Sequence, residues 1–172
     1  MSCKSIAIDL DEKIEQFCEK ELNQDIQIKD YIKKIVESAV EIESLNLNEI
    51  CVSISSATKE EIKNINNKYR GIDRITDVLS FPIFSKEELD DIRKQKDSNK
   101  KIKSLELGDI IICLDVVKVQ AIEYETGLKR ELLYMITHGI CHLLGYDHIV
   151  TEDKEKMRKI EEEILGKIGV KK

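Results

Sequence analysis

Stretches of two-residue and 3.6-residue hydrophobic period alternate along this chain, and their order predicts strands interleaved with helices. Residues 4–10 (KSIAIDL) alternate as a short strand, and a weak amphipathic segment carrying Ile14, Phe17 and Cys18 follows. Ile32, Ile35, Val36, Ala39 and Val40 share one helical face over about 30–45, with Asp30 placed to cap its start. Residues 49–56 return to period two: Ile50, Val52 and Ile54 face one way, Cys51, Ser53 and Ser55 the other. Thr58 with Glu61 three positions on forms a capping box, so a helix begins there and runs out at Arg70-Gly71. Thr76 to Phe81 reads as a strand halted by Pro82.

The second half is less regular. Residues 84–106 are charged and weakly periodic, which predicts a loop. Leu107 to Leu114 is apolar with little alternation, a strand without a solvent-facing side. Helices are predicted at about 115–125 and 128–144, divided near Gly127, and a last one is capped by Thr151, with Ile160, Ile164 and Ile168 on its apolar side. The fold class is therefore α/β (α+β): a mixed sheet of about four strands packed with about five helices. Strand order does not follow from the pattern.

A chain of 172 residues is the size of one domain, here residues 1–172 with a charged loop at about 84–106. Its one proline and seven glycines mark no linker. Five cysteines, Cys3, Cys18, Cys51, Cys113 and Cys141, form no CxxC pair and are an odd number. They point to a reducing, cytoplasmic setting rather than a disulfide framework. The amino end lacks the apolar core of a secretory signal, and no run is long enough to span a bilayer, so no membrane partner is expected. With 28 Lys and Arg against 34 Asp and Glu, the net charge of −6 argues against indiscriminate coating of nucleic acid. A local basic run, Arg93, Lys94, Lys96, Lys100, Lys101 and Lys103, reads first as a solvated charged loop.

The chemistry is concentrated in THGICHLLGYDH, residues 137–148, which holds all three histidines. His138 and His142 lie four apart on one helical face, about 6 Å along the axis at roughly 1.5 Å per residue. Both rings can bend to one ion at roughly 2.0–2.1 Å. Gly145 suits the left-handed position that ends a helix, so the chain can turn back and bring His148 to the same ion. Three imidazoles leave a fourth tetrahedral position for water, the pattern of a catalytic zinc site, with one ion per chain and another divalent metal as the alternative. The spacing is that of the zinc-protease motif HExxHxxGxxH, a metalloprotease-like metal helix, but Gly139 stands where those enzymes carry their general-base Glu.

These segments resemble the bacterial YbeY family of metal-dependent endoribonucleases that mature ribosomal RNA. The resemblance rests on His138-Gly139, His142-Leu143 and Gly145-Tyr146-Asp147-His148. It also rests on Asn67-Lys68-Tyr69-Arg70, on Thr76 through Pro82, and on Gly108-Asp109-Ile110 with Gln120-Ala121 and Glu131-Leu132. It implies a zinc-dependent, single-strand-specific endoribonuclease acting in 16S rRNA 3′-end maturation and ribosome quality control. Arg70 and His138 are then catalytic; the planar guanidinium suits two phosphate oxygens and opposes charge growing at phosphorus. Asp147, Asp109 and Asp77 are supporting carboxylates, of which Asp147 is also a candidate general base. Ser80, Phe81 and Tyr146 line the substrate cleft. Expected partners are single-stranded RNA, above all ribosomal RNA, and the ribosome or a ribosomal protein that offsets the acidic charge. The rival readings are a noncatalytic assembly factor that uses zinc only to order residues 138–148, and a metallopeptidase whose base lies elsewhere.

Overall fold

The computed structural model describes residues 5–22, 27–45, 47–94, 104–147 and 151–170. Four strands form one mixed sheet in the order β1-β2-β4-β3: β1 (Ser5–Leu10), β2 (Glu49–Ser56), β3 (Val78–Pro82) and β4 (Ser104–Ile112). β1, β2 and β4 run parallel, and β3 is an antiparallel edge. The sheet carries α1 (Glu12–Glu21), α2 (Ile28–Ile42), α3 (Lys59–Arg70), α4 (Lys86–Lys94), α5 (Leu114–Glu123), α6 (Leu128–Leu143) and α7 (Thr151–Lys167). The expected four strands are present, but the described helices number seven rather than five.

One extra helix is the weak amphipathic segment, now α1. Its first turn is fixed by Asp11, whose carboxylate accepts from the Lys13 amide and from both the amide and the hydroxyl of Ser56. The other is α4, which corrects the expectation of a loop at 84–106. Ser85 and Glu88 form a reciprocal capping box, with the Glu88 amide on Ser85 Oγ (3.2 Å) and the Ser85 amide on Glu88 Oε2 (2.7 Å). A single fully buried anchor, Leu89, holds the helix down, too little apolar repeat to register as a period. β4 also starts three residues earlier than expected. Lys96, Lys100, Lys101 and Lys103 of the basic run lie outside the described residues. α2 begins at Ile28 without a side-chain cap, so Asp30 sits in its first turn instead of capping it.

The two faces of the sheet are unequal. α1, α2, α6 and α7 build the main core with Ile50, Val52, Ile54, Ile110 and Ile112, whereas α3 closes a small cluster of Ile62, Leu79 and Cys113 on the other face. The poor alternation of β4 has a local cause. Its pairing with β2 slips between Cys51/Glu106 and Ser53/Asp109, so β4 holds one extra residue. Leu105 and Leu107 before the bulge, and Ile110 and Ile112 after it, therefore all reach the main core. Gly108 sits in the bulge at φ +131°, where a Cβ would stand 2.1 Å from the Phe81 carbonyl oxygen.

Candidate functional site

α6 is buried on nearly every side. From Arg130 to Leu143, only Tyr134, His138 and His142 escape full burial, and they are spaced four apart. The opposite side of the helix lies flat on β4, because Gly139 leaves room for Ile110. A Cβ on Gly139 would come within 2.8 Å of Ile110 Cδ1. The sequence thus sets a helix that is core on one side and offers a stripe of ring nitrogens on the other.

The two rings converge. His138 Nε2 and His142 Nε2 lie 3.1 Å apart. His138 Nδ1 faces Glu161 Oε1 at 2.7 Å, and His142 Nδ1 faces the Tyr146 carbonyl oxygen at 2.9 Å. Both partners are acceptors, so each Nδ1 carries the ring proton and the two Nε2 lone pairs meet. That arrangement is repulsive by itself, and a cation held by both nitrogens would relieve it. Two nitrogens on one tetrahedral zinc would be separated by about 3.3 Å at the usual bond length. The donor set and its spacing fit such an ion. His148, the expected third ligand, lies outside the described residues.

Glu161, absent from the residues expected at the site, braces His138. Only 3% of its side chain is exposed; it receives His138 Nδ1 on one oxygen and the Tyr134 hydroxyl on the other (3.1 Å). Burial and the Glu161 charge together push the Tyr134 phenol far above its ordinary range, so it stays a donor. Next to Glu161, Glu162 takes Arg130 Nη2 on both oxygens (3.0 and 3.2 Å), which pins α7 to α6. A sequence signal existed: Glu161 occupies a core position between Met157 and Ile164, where an acid without a partner would be costly. Asp147 is exposed at the end of the turn.

The turn after α6 closes as Gly145 predicts. Gly145, at φ +88°, donates to the His142 carbonyl, and Tyr146 donates to the Cys141 carbonyl (both 3.0 Å), the paired bonds of a Schellman ending. Tyr146 directs its hydroxyl to Glu43, which also pairs with Arg93. This holds Tyr146 beside the histidine turn.

A cleft of about 710 Å³ opens beside His138, lined also by Asp77, Gln120, Tyr134 and Arg158. Asp77 belongs to it, yet its carboxylate is already engaged by Thr76 Oγ1, the Val78 amide and Gln120 Nε2, so it braces β3 against α5. Ser80 and Phe81 do not line this cleft. Ser80 pairs with Ile110 and is buried on the α6 side, its Oγ without a hydrogen-bond partner among the described residues. Phe81 points to the opposite face, edge-on to Tyr69 of α3 at 5.3 Å. Asp109 pairs with Phe81, so it shares that face, and it is exposed. Arg70, the last residue of α3, is exposed and makes no ion pair among the described residues. It ends the helix that packs on the face of the sheet away from α6.

Fold and site together define an α+β protein whose central helix aims two braced imidazoles at one point. The family model for endoribonuclease YbeY matches residues 13–169. The chain belongs to the endoribonuclease YbeY family. It is similar to the endoribonuclease YbeY of Thermoanaerobacter sp. (strain X514), 34% identical over 146 residues, which cover 84% of this chain and 90% of that one. The corresponding protein of Clostridioides difficile (strain 630) is 39% identical over 139 residues, 81% of this chain and 84% of the relative. That of Clostridium perfringens (strain ATCC 13124) is 44% identical over 125 residues, 69% and 74% of the two chains. Among solved structures, TM1509 from Thermotoga maritima superposes with a TM-score of 0.51 at 28% identity, covering 95% of this chain and 91% of that one. No helix among the described residues is long and apolar enough to cross a membrane.

Proposed function

We propose that this chain is a zinc-dependent, single-strand-specific endoribonuclease that acts in the cytoplasm on 16S rRNA 3′-end maturation and ribosome quality control. His138, His142 and His148 hold the metal. The observation that carries the reading is the approach of two Nε2 lone pairs to 3.1 Å while both Nδ1 protons are spoken for. Family membership supplies the substrate class, since the relatives are named endoribonucleases.

When bound, zinc supplies Lewis acidity toward the scissile phosphate and the attacking water. The chain does the positioning. Glu161 locks the tautomer and orientation of His138, and the Tyr146 carbonyl does the same for His142. The exposed Arg70 guanidinium offers a planar fork to phosphate oxygens and opposes the charge that grows there. Partners are single-stranded ribosomal RNA and the ribosome or one of its proteins, which helps an acidic chain meet a polyanion.

Gly139 weighs against the peptidase reading. Its position faces Ile110, so a base there would press into the sheet rather than toward substrate. The test is cleavage of defined single-stranded and duplex RNAs by parent, His142→Ala and Arg70→Ala chains, with zinc measured in each. The expected outcome is one zinc per parent chain, little in His142→Ala, and lost cleavage with retained metal in Arg70→Ala. A parent that holds zinc but leaves every RNA intact would favour the noncatalytic assembly role.

A further inference from the structure

α4 lies directly over the turn that follows the histidine helix. A Cβ on Gly145 would stand 3.4 Å from Leu89 Cδ1 and 3.5 Å from Lys86 Cα, both in α4. Arg93, near the end of α4, donates through Nη2 to the Leu144 carbonyl (3.1 Å) and pairs with Glu43 at the end of α2. Glu43 in turn accepts the Tyr146 hydroxyl. The Tyr146 carbonyl, finally, accepts from His142 Nδ1. An unbroken run of contacts therefore leads from α4 to a ring nitrogen of the candidate site.

We infer that α4 is a clamp on this turn, and that Arg93 is a positioning residue which sets the aim of His142 toward its metal. The inference rests on reading the histidines as metal ligands. An arginine is suited to the place because its fork reaches a carbonyl, the Glu43 carboxylate and Asp90 Oδ1 from one plane. Only 20% of Arg93 and 10% of Glu43 is exposed, and Arg93 Nε is buried without a partner among the described residues. Burial pushes the Glu43 carboxyl up, and the Arg93 charge opposes that shift. Arg93 thus favours the ionised carboxylate that accepts from Tyr146. The charged stretch reads as surface from its composition, but its helix belongs to the site.

The experiment measures zinc affinity of the full chain by competition with a chromophoric chelator. It uses the parent, Arg93→Ala, Tyr146→Phe, the double variant, and Asp11→Ala as a variant that loses a cap outside this network. Urea unfolding of each metal-free form and the visible spectrum of each Co2+-loaded form are recorded alongside. Arg93→Ala is expected to weaken zinc by about ten- to hundred-fold and to alter the Co2+ band. Tyr146→Phe is expected to weaken it less, with the double variant no worse than Arg93→Ala, because both act through one path. Asp11→Ala is expected to lose stability and keep its zinc affinity. Affinities of Arg93→Ala and Tyr146→Phe within roughly twofold of the parent, with an unaltered Co2+ spectrum, would overturn the clamp alone. Should Arg93→Ala not fold, Tyr146→Phe decides by the same criterion. A parent that binds no zinc would defeat the metal reading, and the clamp with it.

Discussion

Glu161 offers the sharpest quantitative test of the site, because one carboxylate braces two groups at once. Glu161→Gln keeps the volume and removes the charge. The ionised oxygen at 2.7 Å from His138 Nδ1 makes a charge-assisted bond, worth about 1.5–3 kcal/mol against about 0.5–1.5 for a neutral one. The difference of about 1–1.5 kcal/mol corresponds to roughly tenfold weaker zinc binding, if that bond is what makes His138 a basic ligand. Glu161→Ala goes further: it strands the Tyr134 hydroxyl and opens a cavity between α6 and α7, at a cost of about 3–5 kcal/mol in stability. Isothermal titration with zinc, beside urea unfolding of the metal-free forms, separates the two effects. Unchanged zinc affinity in a folded Glu161→Gln chain would refute the claim that this acid tunes His138.

Other expected outcomes concern the scaffold. Asp11→Ala should lose about 1–2 kcal/mol at pH 7 in urea unfolding, the cost of an N-cap and its Ser56 bonds. The Ser56 hydroxyl holds the Asp11 carboxyl below its usual 3.8, so its contribution is complete above that value and disappears as pH falls through the lower folded one. Parent and variant stabilities should therefore converge in acid; a constant gap down to pH 2 would contradict this. Gly108→Ala should cost about 3 kcal/mol or more, since its Cβ meets a backbone carbonyl at 2.1 Å and its φ suits only glycine. A loss under 1 kcal/mol in the same assay would remove the bulge argument. Gly139→Ala should cost less, about 1–2 kcal/mol, because Ile110 Cδ1 is a side-chain end that can turn aside. The Cys141 thiol is fully buried and pushed far above its ordinary range, so a disulfide reagent should label it only at the rate of unfolding. Fast labelling of Cys141 in the native chain would count against that burial.

The sequence made legible whatever is decided within a few residues. The Thr58–Glu61 box, the parity of Ile50, Val52 and Ile54, and the glycine that ends α6 all appear where the local pattern puts them. What it hid was decided across the fold. β4 inserts between β2 and β3, an order set by long-range pairing that no periodicity encodes. α4 does not register as a period because one buried leucine and one half-buried arginine anchor it, although Ser85-x-x-Glu88 is in plain view. At the site, the acid that reaches His138 comes from 23 residues downstream, a separation that no motif around the histidines encodes. Phe81 and Asp109 were placed by motif alone; strand parity puts them on the face away from α6.

The same parity explains why this helix cannot be treated as a protease helix lacking one residue. In α6 the position after His138 is turned to the sheet, and glycine there is what lets the helix settle onto Ile110. Close packing and a base at that position are mutually exclusive, so the acid–base groups of any reaction must come from other elements. The bracing of the two rings is likewise divided: α7 supplies Glu161, and the turn clamped by α4 supplies the Tyr146 carbonyl. Neither brace lies within α6, where helical spacing could provide it. A peptide of residues 128–148 would thus retain the histidine spacing but lose Glu161 and the α4 clamp. Its expected zinc affinity is correspondingly lower than that of the folded chain, because tertiary packing is what orients the donors.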